Sequence, residues 1–210
     1  DMKLGVIGAG PAGLCAIKHA VSFGCDVVAF EQSDRIGGTW NYTDVIDTDK
    51  YGIEVHSSMY QGLLSNTPKE IMSYPGFPFE LDEDKSFVTS EEVLKYFHVF
   101  SKTFDLLKHI KFEHHVLRVR PLLNRKWEFI VKNLPIDKCE SIEFDAVLVC
   151  NGFSVPFLKK FPGQDLFRGH QMHSHFYRSS KSFKHEKVLI VGGGKPFSSF
   201  NYLIFTDVCF

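Results

Sequence analysis

The 210-residue chain balances 24 basic against 25 acidic side chains, for a formal net charge of −1, so its charge gives no reason to expect nucleic acid or an anionic membrane as a partner. With 44% hydrophobic and 23% charged residues it reads as a globular chain with material for one core, or for one domain and part of another. Its five cysteines are scattered and form no CxxC, which argues against a disulfide framework, a zinc site or a dithiol redox centre and predicts a reducing compartment on the cytoplasmic side.

No run approaches the roughly 18 consecutive apolar residues of a membrane span. The chain opens at Asp1 with strand-forming residues almost at once, which predicts an N-terminus short of a few residues. Lys3 to Ile7 reads as a buried strand, Leu14 to Phe23 as a helix with Leu14, Ile17 and Val21 on one face, and Asp26 to Phe30 as a second apolar strand. Gly24 stops the helix. Residues 33–88 are irregular and rich in Gly, Pro, Ser, Asn and Asp, and a segment of that length without periodicity is more often functional than idle.

Thr89-Ser90-Glu91-Glu92 is a capping box, and the helix it starts carries Val93, Phe97, Phe100, Phe104 and Leu107 as a core-facing stripe. Phe112–Val119 and Lys126–Lys132 predict antiparallel strands; Trp127, Phe129 and Val131 alternate with charged residues. Phe144–Val149 reads as one apolar strand ending in Cys150-Asn151-Gly152. A long loop, 153–186, leads to a last strand beginning at Val188.

The chemistry sits first in Gly8-Ala9-Gly10-Pro11-Ala12-Gly13, a GxGxxG that follows a strand and opens a helix. Gly8 permits the tight turn, Gly10 lets a pyrophosphate reach the backbone, and Gly13 lets helix and strand pack closely. The helix N-terminus offers free N–H groups and partial positive charge. Glu31 ends the second strand, where a carboxylate accepts from ribose hydroxyls and repels a 2′-phosphate, so this first site suits FAD or NAD and not NADP. Glu31 followed by Gly37-Gly38 resembles the two-dinucleotide-domain flavoproteins, which favours FAD and puts Gly38, Thr39 and Trp40 beside the cofactor.

Phe167, Gly169, His173, Ser174 and Tyr177 match FxGxxxHSxxY. On these residues the chain resembles the flavin-containing monooxygenases; related Baeyer–Villiger enzymes carry Trp where this chain has Tyr177. The stretch 60–79 is similar to the family segment in which Ser65 and Asn66 lie beside the flavin, and 147–163 to the strand closing the FAD domain, with Gly152 near the cofactor. His170, His173 and His175 have no carboxylate or Cys to complete a metal set, so no metal is expected.

The resemblance implies an α/β fold: a Rossmann-like FAD-binding domain over 1–165 with an antiparallel β insertion, then 166–194 as the motif loop and first strand of a truncated second domain binding NADPH. It implies that NADPH reduces FAD, that oxygen adds at flavin C4a to give a hydroperoxide, and that a small amine or sulfide takes the distal oxygen. Asn66 would hydrogen-bond that intermediate and the retained NADP, so the lack of a catalytic triad does not argue against an enzyme.

The second glycine turn departs from the family pattern. Gly192 and Gly194 match, but Pro196 and Phe197 stand where the family has Ser and Gly, and 195–210 read as a divergent tail foreign to the fold. Two readings follow: a monooxygenase, or a catalytically inactive truncated form that keeps at most FAD binding. A pyridine nucleotide–disulfide reductase would need the missing CxxC.

Overall fold

The computed structural model describes residues 2–80, 84–152, 160 and 162–191, with the backbone alone at 182 and 203–206. It opens with β1 (Lys3–Ile7), α1 (Pro11–Ser22) and β2 (Asp26–Phe30). A short helix α2 (Lys69–Met72) and the longer α3 (Ser90–Thr103) follow. The strands β3 (Ile110–Lys111), β4 (His114–Pro121), β5 (Trp127–Asn133), β6 (Lys138–Phe144) and β7 (Ala146–Val149) come next, then β8 (Gln171–His173), β9 (Val188–Val191) and β10 (Leu203–Thr206).

The organising element is a parallel sheet in the order β3-β2-β1-β7. Alternation along its strands divides two cores. Leu4, Val6, Val27 and Ala29 face one side, where Leu14, Ile17 and Ala20 of α1 and Val93, Phe97 and Phe100 of α3 pack. Ile7, Val28, Phe30 and Val147 face the other, against Phe129, Val131 and Phe144 of a separate antiparallel sheet, β4-β5-β6. That second sheet comes close because Gly5 has no side chain: a Cβ there would lie 2.7 Å from the Phe129 ring.

Pro11 sits at the first helical position of α1, where its missing N–H costs nothing and its φ is already helical. The α3 capping box forms as the sequence predicts. Thr89 Oγ1 accepts from Glu92 N–H, and Glu92 Oε2 accepts from Thr89 N–H at 2.8 Å.

Two sequence expectations change. The α3 stripe stops early: the helix ends at Thr103 and the backbone turns at Asp105, φ 51°, so Phe104 and Leu107 lie beyond it at 38% and 46% exposure. Tyr96 joins the core in their place, stacked on Phe79 with ring centroids 3.9 Å apart. The apolar run 144–149 is two strands. Phe144 ends antiparallel β6, Asp145 breaks the line, and β7 leaves along β1 in the parallel sheet. Apolarity cannot show such a change of partner, because Phe144 and Ala146–Val149 are apolar whichever sheet each joins.

In the third sheet, β8-β10-β9, the backbone of 203–206 pairs antiparallel with both neighbours. Four residues of the segment expected to lie outside the fold are therefore strand. Gly192, Gly194 and the rest of that tail lie outside the described residues.

Candidate functional site

The glycine-rich turn lies at the C-terminal end of β1, the side of a parallel α/β sheet on which ligands bind. Gly8 adopts φ +96°, and a Cβ there would meet the Cys150 carbonyl at 2.6 Å, so the turn lies directly against the end of β7. A Cβ on Gly13 would sit 2.0 Å from the Gly8 carbonyl oxygen, closer than any side chain allows. Gly10, by contrast, meets only ordinary contact: its nearest neighbour would be the Gly38 Cα at 3.5 Å. Ala9 is buried and Ala12 exposed.

Gly37 and Gly38, both at positive φ, bring the second glycine pair onto the first. Gly37 N–H donates to the Ala9 carbonyl at 3.0 Å, and a Cβ on Gly38 would lie 3.1 Å from the Gly10 Cα. Two backbones thus approach with no side chain between them. The N-terminus of α1 has no side-chain cap and no acidic residue in its first turn. Its leading N–H groups and the positive end of its dipole are not matched by an anionic side chain of the helix itself. This cradle fits a pyrophosphate: it offers space where a Cβ would intrude, and donors where an anion is stabilised.

Glu31 is buried at the end of β2, and its carboxylate organises the cradle. Oε2 accepts from Ala9 N–H at 2.8 Å; Oε1 accepts from Ser33 N–H at 2.9 Å and Ser33 Oγ at 2.8 Å. An ionised carboxylate offers about four lone-pair sites, so three bonds leave capacity for a ribose hydroxyl. Glu31 therefore holds the first turn in place.

The other expected residues are less concentrated. Thr39 is half-buried, and its carbonyl accepts from Ser57 Oγ at 2.8 Å. Trp40 belongs to the protein's own core at 8% exposure, which leaves little of its surface for a cofactor. Ser65 is buried and bonded to backbone: its hydroxyl donates to the Thr67 carbonyl and accepts from Val88 N–H. Asn66 is exposed, its Oδ1 accepting from Thr67 Oγ1 at 3.3 Å, a bond within its own turn and not to the glycine cradle. Gly152 is exposed at φ +69°, two residues past the Cys150 carbonyl that backs Gly8, and no described atom lies within 4 Å of where its Cβ would be. Burial pushes the Cys150 thiol above its usual range.

The FxGxxxHSxxY segment packs against residues of the 45–61 stretch. His173 is buried, and its Nδ1 accepts from His175 N–H at 3.1 Å. His175 Nε2 donates to the Val55 carbonyl at 3.3 Å. Burial, then the neighbouring charges of Arg178, His173 and His56, holds the His175 imidazole below the usual histidine range. Tyr177 packs against Tyr60 at 5.5 Å between ring centroids. Among the described residues no three His, Cys, Asp or Glu side chains gather as a metal set, and no helix is long and apolar enough to cross a membrane.

Three residues escaped the sequence reading. Tyr74 is mostly buried and donates from its hydroxyl to the Pro11 carbonyl at 2.6 Å, anchoring the irregular segment to the first turn of α1; burial raises its phenol well above the usual range. Arg178 and Ser57 are buried and bonded to backbone carbonyls. No periodicity marks such side chains, although Arg178 directly follows the Tyr177 of the motif.

Comparison with known proteins agrees with this architecture. The flavin-binding monooxygenase-like family model matches residues 1–201. The Arabidopsis thaliana protein "Flavin-containing monooxygenase FMO GS-OX-like 1" is 42% identical over 199 residues, covering 89% of this chain and 42% of its own length. Human flavin-containing monooxygenase 2 is 35% identical over 197 residues, covering 91% and 36%. Among solved structures, the S-allyl-L-cysteine S-oxygenase of Allium sativum superposes with a TM-score of 0.79 at 34% identity, over 87% of this chain and 44% of that one. The chain thus spans less than half the length of each of these relatives. By sequence and by fold, it belongs to the flavin-binding monooxygenase-like family.

Proposed function

We propose that residues 1–165 form an FAD-binding domain in which the Gly8–Gly13 turn, the α1 N-terminus and Gly38 hold the pyrophosphate, and Glu31 holds the adenosine ribose. The meeting of Gly10 and Gly38 at the uncapped helix terminus carries this reading. Residues 166–194 continue as the motif segment and the first strand of an NADPH-binding domain that includes Gly192 and Gly194; 195–210 form a divergent tail.

FAD held by these residues would supply the redox chemistry, the oxygenation of a soft nucleophile at the expense of NADPH and oxygen. The chain's own residues bind and orient. The cradle fixes the phosphates, Glu31 fixes the sugar, and the buried cores on both sides of the sheet hold these groups rigid. Asn66, exposed on the 60–66 segment, is the residue proposed to hydrogen-bond the reacting centre. The substrate class is a small amine or sulfide; the sulfur oxygenation named for the Allium relative favours sulfur.

A second reading rests on the second glycine turn, where Pro196 and Phe197 stand in place of the family's Ser and Gly. On this reading the chain binds FAD but does not pass hydride to it. An absorbance spectrum of the FAD-loaded chain, taken before and after NADPH without oxygen, separates the two. Bleaching of the flavin bands supports the monooxygenase reading, and a chain that stays yellow supports the second. A chain that takes up no flavin contradicts both.

A further inference from the structure

Arg178 is buried at 8% exposure, and among the described residues no carboxylate forms an ion pair with it. Its guanidinium is bonded to carbonyls from two parts of the chain. Nη1 donates to His175 O at 2.8 Å and Tyr177 O at 3.1 Å; Nη2 donates to Ser57 O at 2.9 Å and Val45 O at 3.2 Å. Its own carbonyl accepts from Gln61 N–H at 2.7 Å. A buried charge is costly, and burial pulls this guanidinium below its usual range, partly offset by Tyr42 and the Asp44 carboxylate nearby. An apolar side chain would fill the space at less cost but could not join four carbonyls.

Beyond Arg178 the connection runs on. Ser57, buried as well, shares its one hydroxyl proton between Thr39 O at 2.8 Å and Asn41 O at 2.9 Å. The Asn41 side chain in turn donates to Ile36 O at 2.8 Å and Gly38 O at 3.2 Å, closing the turn that carries the glycine pair. A continuous set of bonds therefore joins the motif segment 173–178 to the wall of the cradle.

We propose that Arg178 is a positioning residue for the cofactor site: it fixes Ser57, and through Ser57 the 36–41 turn that sets Gly38 against Gly10. The assignment rests on the flavin reading of the cradle but concerns a residue outside it. The motif segment and the FAD site are then coupled, so a disturbance of 173–178 is felt at 37–41.

The test compares the full 210-residue chain with Arg178→Met, Arg178→Lys and Ser57→Ala, by hydrogen exchange and by FAD titration. Arg178→Met is expected to speed exchange of the Gly37, Trp40 and Asn41 amides by about tenfold or more while β1 and β7 amides keep their wild-type protection. It is also expected to weaken FAD binding by about tenfold. Ser57→Ala should loosen 39–41 in the same way and leave 173–178 protected, since the relay is cut beyond Arg178. Arg178→Lys keeps the charge but reaches fewer carbonyls, and should recover part of both effects.

Wild-type exchange at 37–41 in Arg178→Met or Ser57→Ala overturns the proposal. So does uniform acceleration that includes β1 and β7, which marks a merely structural arginine. If no variant, wild type included, binds FAD, the cofactor reading fails, and the exchange pattern still decides the relay.

Discussion

Gly13 and Gly10 lie three residues apart in one turn, and the geometry assigns them opposite failures. A methyl group on Gly13 would sit 2.0 Å from the Gly8 carbonyl oxygen, about 1.5 Å inside ordinary van der Waals contact. The obstacle is backbone and cannot swing aside. Overpacking of this kind costs up to about 3 kcal/mol, and the helical preference of Ala over Gly returns about 1 kcal/mol. Gly13→Ala should therefore lose about 2 kcal/mol, which lowers Tm by about 4–8 °C for a chain of this size. Gly10 has φ −74°, and its Cβ would meet Gly38 Cα at 3.5 Å, an ordinary contact. Gly10→Ala should cost only about 0.5–1 kcal/mol as a poorer helix cap, yet its methyl group enters the cradle and should weaken FAD binding by at least about tenfold. Thermal denaturation and flavin titration on both variants decide the matter. A Gly13→Ala chain as stable as wild type, or a Gly10→Ala chain that binds FAD normally, would refute the reasoning.

Glu31→Gln keeps the shape but sets an amide N–H₂ against Ala9 N–H or the Ser33 donors, so urea denaturation should show a loss of about 2 kcal/mol. Asn66→Ala removes an exposed side chain with one long bond; stability should stay within about 0.5 kcal/mol of wild type in the same denaturation assay. The Glu92 carboxyl is held below its usual range by Lys85 and by Thr89 N–H. Its stabilisation is present above the unfolded-state value and is lost as pH falls through the lower folded value. Because this pair is partly solvated, Glu92→Gln should cost about 0.5–1 kcal/mol at pH 7, and the difference from wild type should vanish in acid. A pH series of denaturation midpoints checks this; a difference that persists in acid would contradict it.

What could be read from the sequence was local. The bounds of β1 and β2 follow from short apolar runs between turn residues, the capping box of α3 from its own four residues, and the cradle from glycine spacing in a strand-to-helix context. Three features could not be read so. The end of α3 depends on the left-handed turn at Asp105, while the apolar spacing runs on through Phe104 and Leu107. The change of sheet at Asp145 is not announced by apolarity, because Phe144 and Ala146–Val149 are apolar on both sides of that one residue. The bonds from Arg178 to Val45 and Ser57 span 133 and 121 residues, and a side chain paired with distant carbonyls has no periodic signature. Asn66 lies between these cases: the family resemblance assigned it a role, while its surroundings show an exposed turn residue.

The central claim is that the glycine cradle recognises the pyrophosphate and ribose of FAD, not the isoalloxazine ring alone. Parallel titrations of the flavin-free chain with FAD and with FMN, followed by flavin fluorescence, test it most directly. FMN carries the same ring and ribityl phosphate but lacks the AMP half, and with it the pyrophosphate and the adenosine ribose. The account predicts saturable binding of one FAD per chain and FMN binding weaker by about 100-fold, or roughly 2.7 kcal/mol. Equal affinity for the two, or binding of neither, would contradict it.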